Sequence, residues 1–200
     1  MLQLHHVHKV FDAGKPTEVV AVDHIDLQLA AGSYTVVVGA NGSGKSTLLN
    51  LIAGNVYPDS GEILLQGNEL QRMPDYRRSR WIARVFQNPL TGTAASLSIL
   101  DNFRMAALRR SPKWMKVGIN DDFKARVREQ VAVLGMGLEN KLTQVMSTLS
   151  GGQRQAITLL MTVMTGVDVL LLDEPTAALD PRSAKEVMEI ADRIIRENSL

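Results

Sequence analysis

The segment Gly39-Ala40-Asn41-Gly42-Ser43-Gly44-Lys45-Ser46 constrains the fold of this chain more than any other stretch. It fits the pattern G-x4-G-K-[ST], follows the apolar run Tyr34 to Val38 and precedes the apolar-rich Leu48 to Ala53. The sequence therefore predicts a buried strand, a glycine loop and a helix in succession. Glycines there let backbone N–H groups turn inward around phosphate oxygens, and a helix starting near Lys45 points its positive end at the same anion. Lys45 is expected to reach the β- and γ-phosphates, and the hydroxyl of Ser46, followed by Thr47, to ligate Mg2+.

Two further segments carry chemistry. Val169-Leu170-Leu171-Leu172 is apolar enough to be a strand buried on both faces of a parallel sheet, and it ends in Asp173 and Glu174. A carboxylate at that end, Asp173, suits a metal held directly or through water, and Glu174 suits a general base or water-positioning group. Leu149-Ser150-Gly151-Gly152-Gln153 precedes Ile157, Leu160, Val163 and Met164 at helical spacing, which places Ser150 and the glycines at a helix start, a second anion-binding geometry.

In this order the three motifs resemble the ATP-binding cassette family, the nucleotide-binding subunits of ABC transporters, over essentially the whole chain. The resemblance implies an α/β fold: a P-loop NTPase core with a mainly parallel sheet, N-terminal antiparallel strands and an inserted helical subdomain. It implies that ATP contacts Gly39 through Thr47 on one subunit, while Ser150, Gly151, Gly152 and Gln153 of a second subunit close over it in trans. Gln87 matches the glutamine that touches Mg2+ and the attacking water, joining Lys45 and Glu174 as catalytic, and Ser46 and Asp173 as metal ligands. Ala178-Leu179-Asp180 matches the loop that meets the opposite subunit, and Asp180 before Pro181 also reads as a helix N-cap. Phe11 matches an aromatic that stacks on adenine, where the family more often has tyrosine, and a core role is its alternative.

The family also places a histidine after the strand that follows the Asp180 helix. The histidines here are His5, His6, His8 and His24, and the sequence stops at Leu200. The expectation is a chain that binds Mg-ATP and hydrolyses it poorly. A nucleotide-dependent interaction or extraction module stays open beside the transport reading. The implied partners are a second nucleotide-binding subunit, separate membrane permeases and an external solute-binding protein.

Composition fits this picture. A content of 45% apolar residues over 200 residues supports one sizeable core, and zero cysteines favour a reducing cytoplasm without a disulfide framework. A net charge of +1 argues against a general nucleic-acid binder, and the family resemblance implies a peripheral place on the cytoplasmic face of the membrane. Strand-and-helix alternation assigns residues 1–86 and 167–200 to a nucleotide-binding core, with 87–166 as a helical subdomain. In that subdomain Asp121 is expected to cap a helix with Phe123, Val127, Val131 and Leu134 on one stripe. The interval from Ser46 to Leu149 holds no heptad repeat, which excludes the coiled-coil chromosome-maintenance ATPases. Arg104, Arg109, Arg110, Lys113 and Lys116 around Trp114 form a basic segment suited to a membrane subunit or an anionic leaflet. His5-His6-x-His8, with no cysteine or acidic cluster near it in sequence, reads as a solvated strand face rather than a metal site.

Overall fold

Leu2, Leu4 and Val7 are all buried on β1 (Leu2–Phe11), although an uninterrupted strand would send Leu4 and Val7 to opposite faces. A bulge resolves the conflict. His5 pairs with Glu62 and His8 with Ser60, so β1 carries one residue more than its partner there, and the apolar phase is restored at Val7. His6 takes up the extra residue at φ 48, and Gly61 faces the carbonyls of His5 and His6, where a Cβ would collide. β1 pairs antiparallel with β2 (Val19–Leu29) on one side and β3 (Ser60–Leu65) on the other; β4 (Asn68–Glu69) completes the order β2-β1-β3-β4.

The computed structural model describes residues 1–86, 88, 91–109, 118–164, 166–177 and 179–197, which divide into two compact units, one up to residue 83 and one from residue 84. In the first unit α1 (Lys45–Ala53) buries Leu51 and Ile52, and α2 (Asp75–Arg78) ends in a fully buried arginine. Nε of Arg78 donates to Met73 O at 2.8 Å, and Nη1 donates to the carbonyls of Leu51 at 2.6 Å and Ile52 at 3.1 Å. A guanidinium thus satisfies carbonyls at the C-terminal end of α1, where a cation also complements the helix dipole. Burial pulls the Arg78 pKa below its usual value.

Tyr34 to Val38, expected as a strand, runs without a ladder in this structure, and Val36 and Val38 are 64% and 87% exposed. A run apolar on both faces is stabilised only when strands flank it on both sides, and no described residue pairs with it.

The chain passes to the second unit within β5 (Ile82–Val85), which lies beside β6 (Val169–Leu172). Its helices are α3 (Ile99–Ala107), α4 (Asp121–Ala132), α5 (Gly151–Val163) and α6 (Pro181–Glu197). The cap of α4 is Asn120, whose side chain accepts the Phe123 N–H, so Asp121 sits one position inside the helix instead. Phe123, Val127, Val131 and Leu134 are buried, as their spacing predicts. α5 is buried on all sides from Gln155 to Val163, a wider contact than the single stripe its sequence suggested. Among the described residues no helix is long and apolar enough to cross a membrane.

Candidate functional site

The phosphate-loop residues belong to the first unit. Gly44, at φ 89, is the N-cap of α1, and a Cβ there would run into the carbonyl oxygen of Ala21 on β2. Only glycine meets both demands. Residues 39–43 are exposed, and a turn from Ser43 N–H to Ala40 O at 3.2 Å shapes the loop. Nζ of Lys45 donates to Gly39 O at 2.8 Å and Ala40 O at 2.9 Å, so its ammonium lies over the loop mouth. The cradle that glycine alone can form, the exposed loop N–H groups and this ammonium suit a polyphosphate. Phe11 ends β1 opposite Val19, 39% exposed, with Nζ of Lys9 5.4 Å from its ring centre. An exposed ring of this kind is not a core residue.

The acidic strand end belongs to the second unit. The Asp173 N–H donates to Val85 O at 3.1 Å, which extends the β5–β6 pairing by one residue. Oδ2 of Asp173 accepts from Nη2 of Arg84 at 2.6 Å, with side chains 17% and 10% exposed. The Arg84 guanidinium also lies 4.9 Å from the centre of the Phe86 ring. Arg84 carried no expectation from the sequence, because the pairing of β5 with β6 is what delivers it to Asp173. Glu174 follows, exposed and at φ 46, and its carbonyl accepts the Ala177 N–H at 3.1 Å. The Ser46 hydroxyl and the Asp173 carboxylate are hard oxygen donors, the type that Mg2+ selects.

Ser150 caps α5 through a capping box. Its hydroxyl accepts the Gln153 N–H at 3.2 Å, and Gln153 Oε1 accepts the Ser150 N–H at 3.2 Å. The spacing S-x-x-Q carried that signal. Arg154 fastens the approach to this helix start, donating to the carbonyls of Met146, Ser147 and Leu149 at 3.2, 3.1 and 3.0 Å. Buried Gln155 donates to Phe86 O at 3.4 Å, joining α5 to the end of β5. A Cβ on Gly152 would stand 3.0 Å from the Ser183 Cβ, so this glycine allows α6 to approach closely. Asp180 caps α6, accepting the N–H groups of Arg182 and Ser183 at 3.1 Å each. Hydrogen bonds from Ser183, first its side chain and then its backbone, hold the Asp180 pKa below 3.8.

Thus Ser150, Gly151, Gly152 and Gln153 lie together with Asp180 at the adjoining starts of α5 and α6. Gln87 and Ala178 lie outside the described residues, as do Arg110, Lys113 and Lys116. Of the remaining basic segment, Arg109 donates to Thr162 O at 2.8 Å and Met161 O at 3.3 Å, which ties the turn after α3 to α5.

A family model described as ABC transporter matches residues 22–177. The chain belongs to the ABC transporter family. It is an ATP-binding cassette, an ATPase by class. The cassette is 34% identical over its full length to a tyrosine transport ATP-binding protein of Clostridioides difficile (strain R20291), covering 79% of that protein. It is 40% identical over 88% of its length to the phosphonates import ATP-binding protein PhnC 1 of Cupriavidus metallidurans, covering 64% of it. Among solved structures, the dimeric ATP-binding cassette MJ0796 bound to ADP and Pi superposes with a TM-score of 0.82. That match covers 100% of this chain and 84% of the other at 24% identity, and it establishes the shared P-loop NTPase fold.

Proposed function

We propose that this cassette works as one of two ATPase subunits that close on ATP and drive solute import through separate membrane permeases. The observation that carries the proposal is a pair of anion-facing helix starts on one chain: α1, entered through Gly44 beside Lys45, and α5, entered through the Ser150 capping box. One start holds the phosphates of ATP in cis, and the other meets the γ-phosphate from the second copy. Lys45 and the loop N–H groups from Gly39 to Thr47 bind the phosphates, and Phe11 offers its exposed ring to the adenine. Ser46, Gln87 and Asp173 would hold Mg2+, which neutralises phosphate oxygen charge when bound. Glu174 takes the proton from the attacking water, and Asp180 faces the opposite subunit.

Residues 87–166 then serve as the helical subdomain that meets the permease, with the protein on the cytoplasmic face of the membrane. The solute class proposed is an amino acid, supported by the tyrosine transport and methionine import proteins among its relatives; a solute-binding protein would deliver it. Light scattering of Glu174→Gln with Mg-ATP tests the closure. A doubled mass with ATP and a single-chain mass with ADP are expected, and a single-chain mass with both would refute it. Disrupting the gene tests the solute: uptake of one amino acid should be lost, and loss of sugar or phosphonate uptake alone would reassign it.

A further inference from the structure

We propose that His8, Asp23 and His24 form a binding site for one transition-metal ion of the zinc class at the β1–β2 bulge. The backbone creates the cluster. Val7 pairs with Ile25 and Lys9 with Val22, so His8 alone on β1 stands opposite two residues of β2, Asp23 and His24. A bulge of this kind re-aims side chains that a regular ladder would send to opposite faces, and His24 takes φ 45 to achieve it. The imidazoles stack with ring centres 4.5 Å apart and planes 30° apart. Both Nδ1 atoms approach one carboxylate oxygen: Asp23 Oδ1 lies 2.7 Å from Nδ1 of His24 and 3.2 Å from Nδ1 of His8.

Ligand atoms from all three residues lie within 4.8 Å of one another, an arrangement found once among the described residues. Tetrahedral zinc with bonds of about 2.0–2.1 Å sets its ligand atoms roughly 3.3 Å apart, beside 3.2 Å from His8 and 2.7 Å from His24 to the Asp23 oxygen here. Nδ1 of His8 adds a second observation. It is buried, and its polar neighbour, Asp23 Oδ1 at 3.2 Å, does not fully satisfy it. A metal ion on the open side of the cluster would satisfy that nitrogen. Two imidazoles and a carboxylate suit zinc, nickel or copper rather than magnesium, and the exposed faces of Asp23 and His24 leave room for water as the fourth ligand. The neighbouring His6–Asp26 pair, at 2.7 Å, offers two donors and lacks a third.

The sequence concealed this site because its donors come from two strands, and the acid that matters sits beside His24, outside the run His5 to His8. Ala21, whose carbonyl closes against Gly44, lies just upstream of Asp23, so a bound ion would brace the hairpin next to the phosphate loop.

Zinc titration of the untagged full chain by calorimetry, with melting measured in zinc and in chelator, tests the proposal. One zinc per chain and a rise in melting temperature on binding are expected. His24→Ala, and independently the near-isosteric Asp23→Asn, should each weaken zinc binding by about tenfold or more and abolish the rise. His5→Ala and His6→Ala should change neither. The proposal is overturned if the chain fails to bind zinc, if both Asp23→Asn and His24→Ala bind it unchanged, or if His5→Ala or His6→Ala removes the binding.

Discussion

At the scale of single residues, Gly44 and Arg78 hold α1 from its two ends. Gly44→Ala must accommodate a left-handed backbone and displace the Ala21 carbonyl; the strained conformation alone costs about 1–2 kcal/mol. Nucleotide binding, read with a fluorescent ATP analogue, should fall more than the melting temperature does, because the distortion lies in the loop. Arg78→Met removes a buried cation and leaves the carbonyls of Leu51, Ile52 and Met73 without their donor. A loss of about 1–3 kcal/mol in chemical denaturation is expected. Four exposed carboxylates contribute a solvent-screened share of the acid sensitivity. Asp180 is lowered by Ser183, Asp23 by His24, Asp26 by the His6 N–H and Asp59 by Lys9, each from 3.8. A folded pKa below the unfolded one contributes stability that is present above 3.8 and lost as pH falls through the lower folded values. Melting temperature should therefore drop between about pH 5 and about pH 2, and Asp59→Asn should make that drop shallower.

At the scale of elements, two helices begin with the same device, and the comparison isolates function from stability. Ser98 and Asp101 form a capping box on α3, as Ser150 and Gln153 do on α5. Replacing either serine by alanine should cost about 1 kcal/mol of stability. Only Ser150→Ala should also reduce ATP-dependent self-association, and equal association in both variants would make the α5 start merely structural. Most of these elements were legible in the sequence: β6, the helix after the phosphate loop and α6 follow from apolar runs and caps that local residues specify. What stayed hidden is non-local. Arg84 meets Asp173 across a strand pairing, Arg78 reaches α1 across a span of 26 or 27 residues, and the β1 and β2 bulges appear only once register is known. Tyr34 to Val38 shows the converse, a strand pattern with no ladder because a buried strand depends on its neighbours.

At the scale of the whole molecule, the central claim is that one nucleotide is shared by two copies, with Lys45 on one side and Ser150 on the other. The absence of cysteine in the sequence makes this directly measurable. One preparation carries Asn41→Cys in the exposed phosphate loop, and a second carries Ser147→Cys, exposed just ahead of Ser150; both also carry Glu174→Gln to retain ATP. Mixed and treated with a short bifunctional thiol reagent, they should yield a covalent heterodimer rapidly with Mg-ATP and slowly with ADP. Equal yields with the two nucleotides, or none with either, would contradict the account.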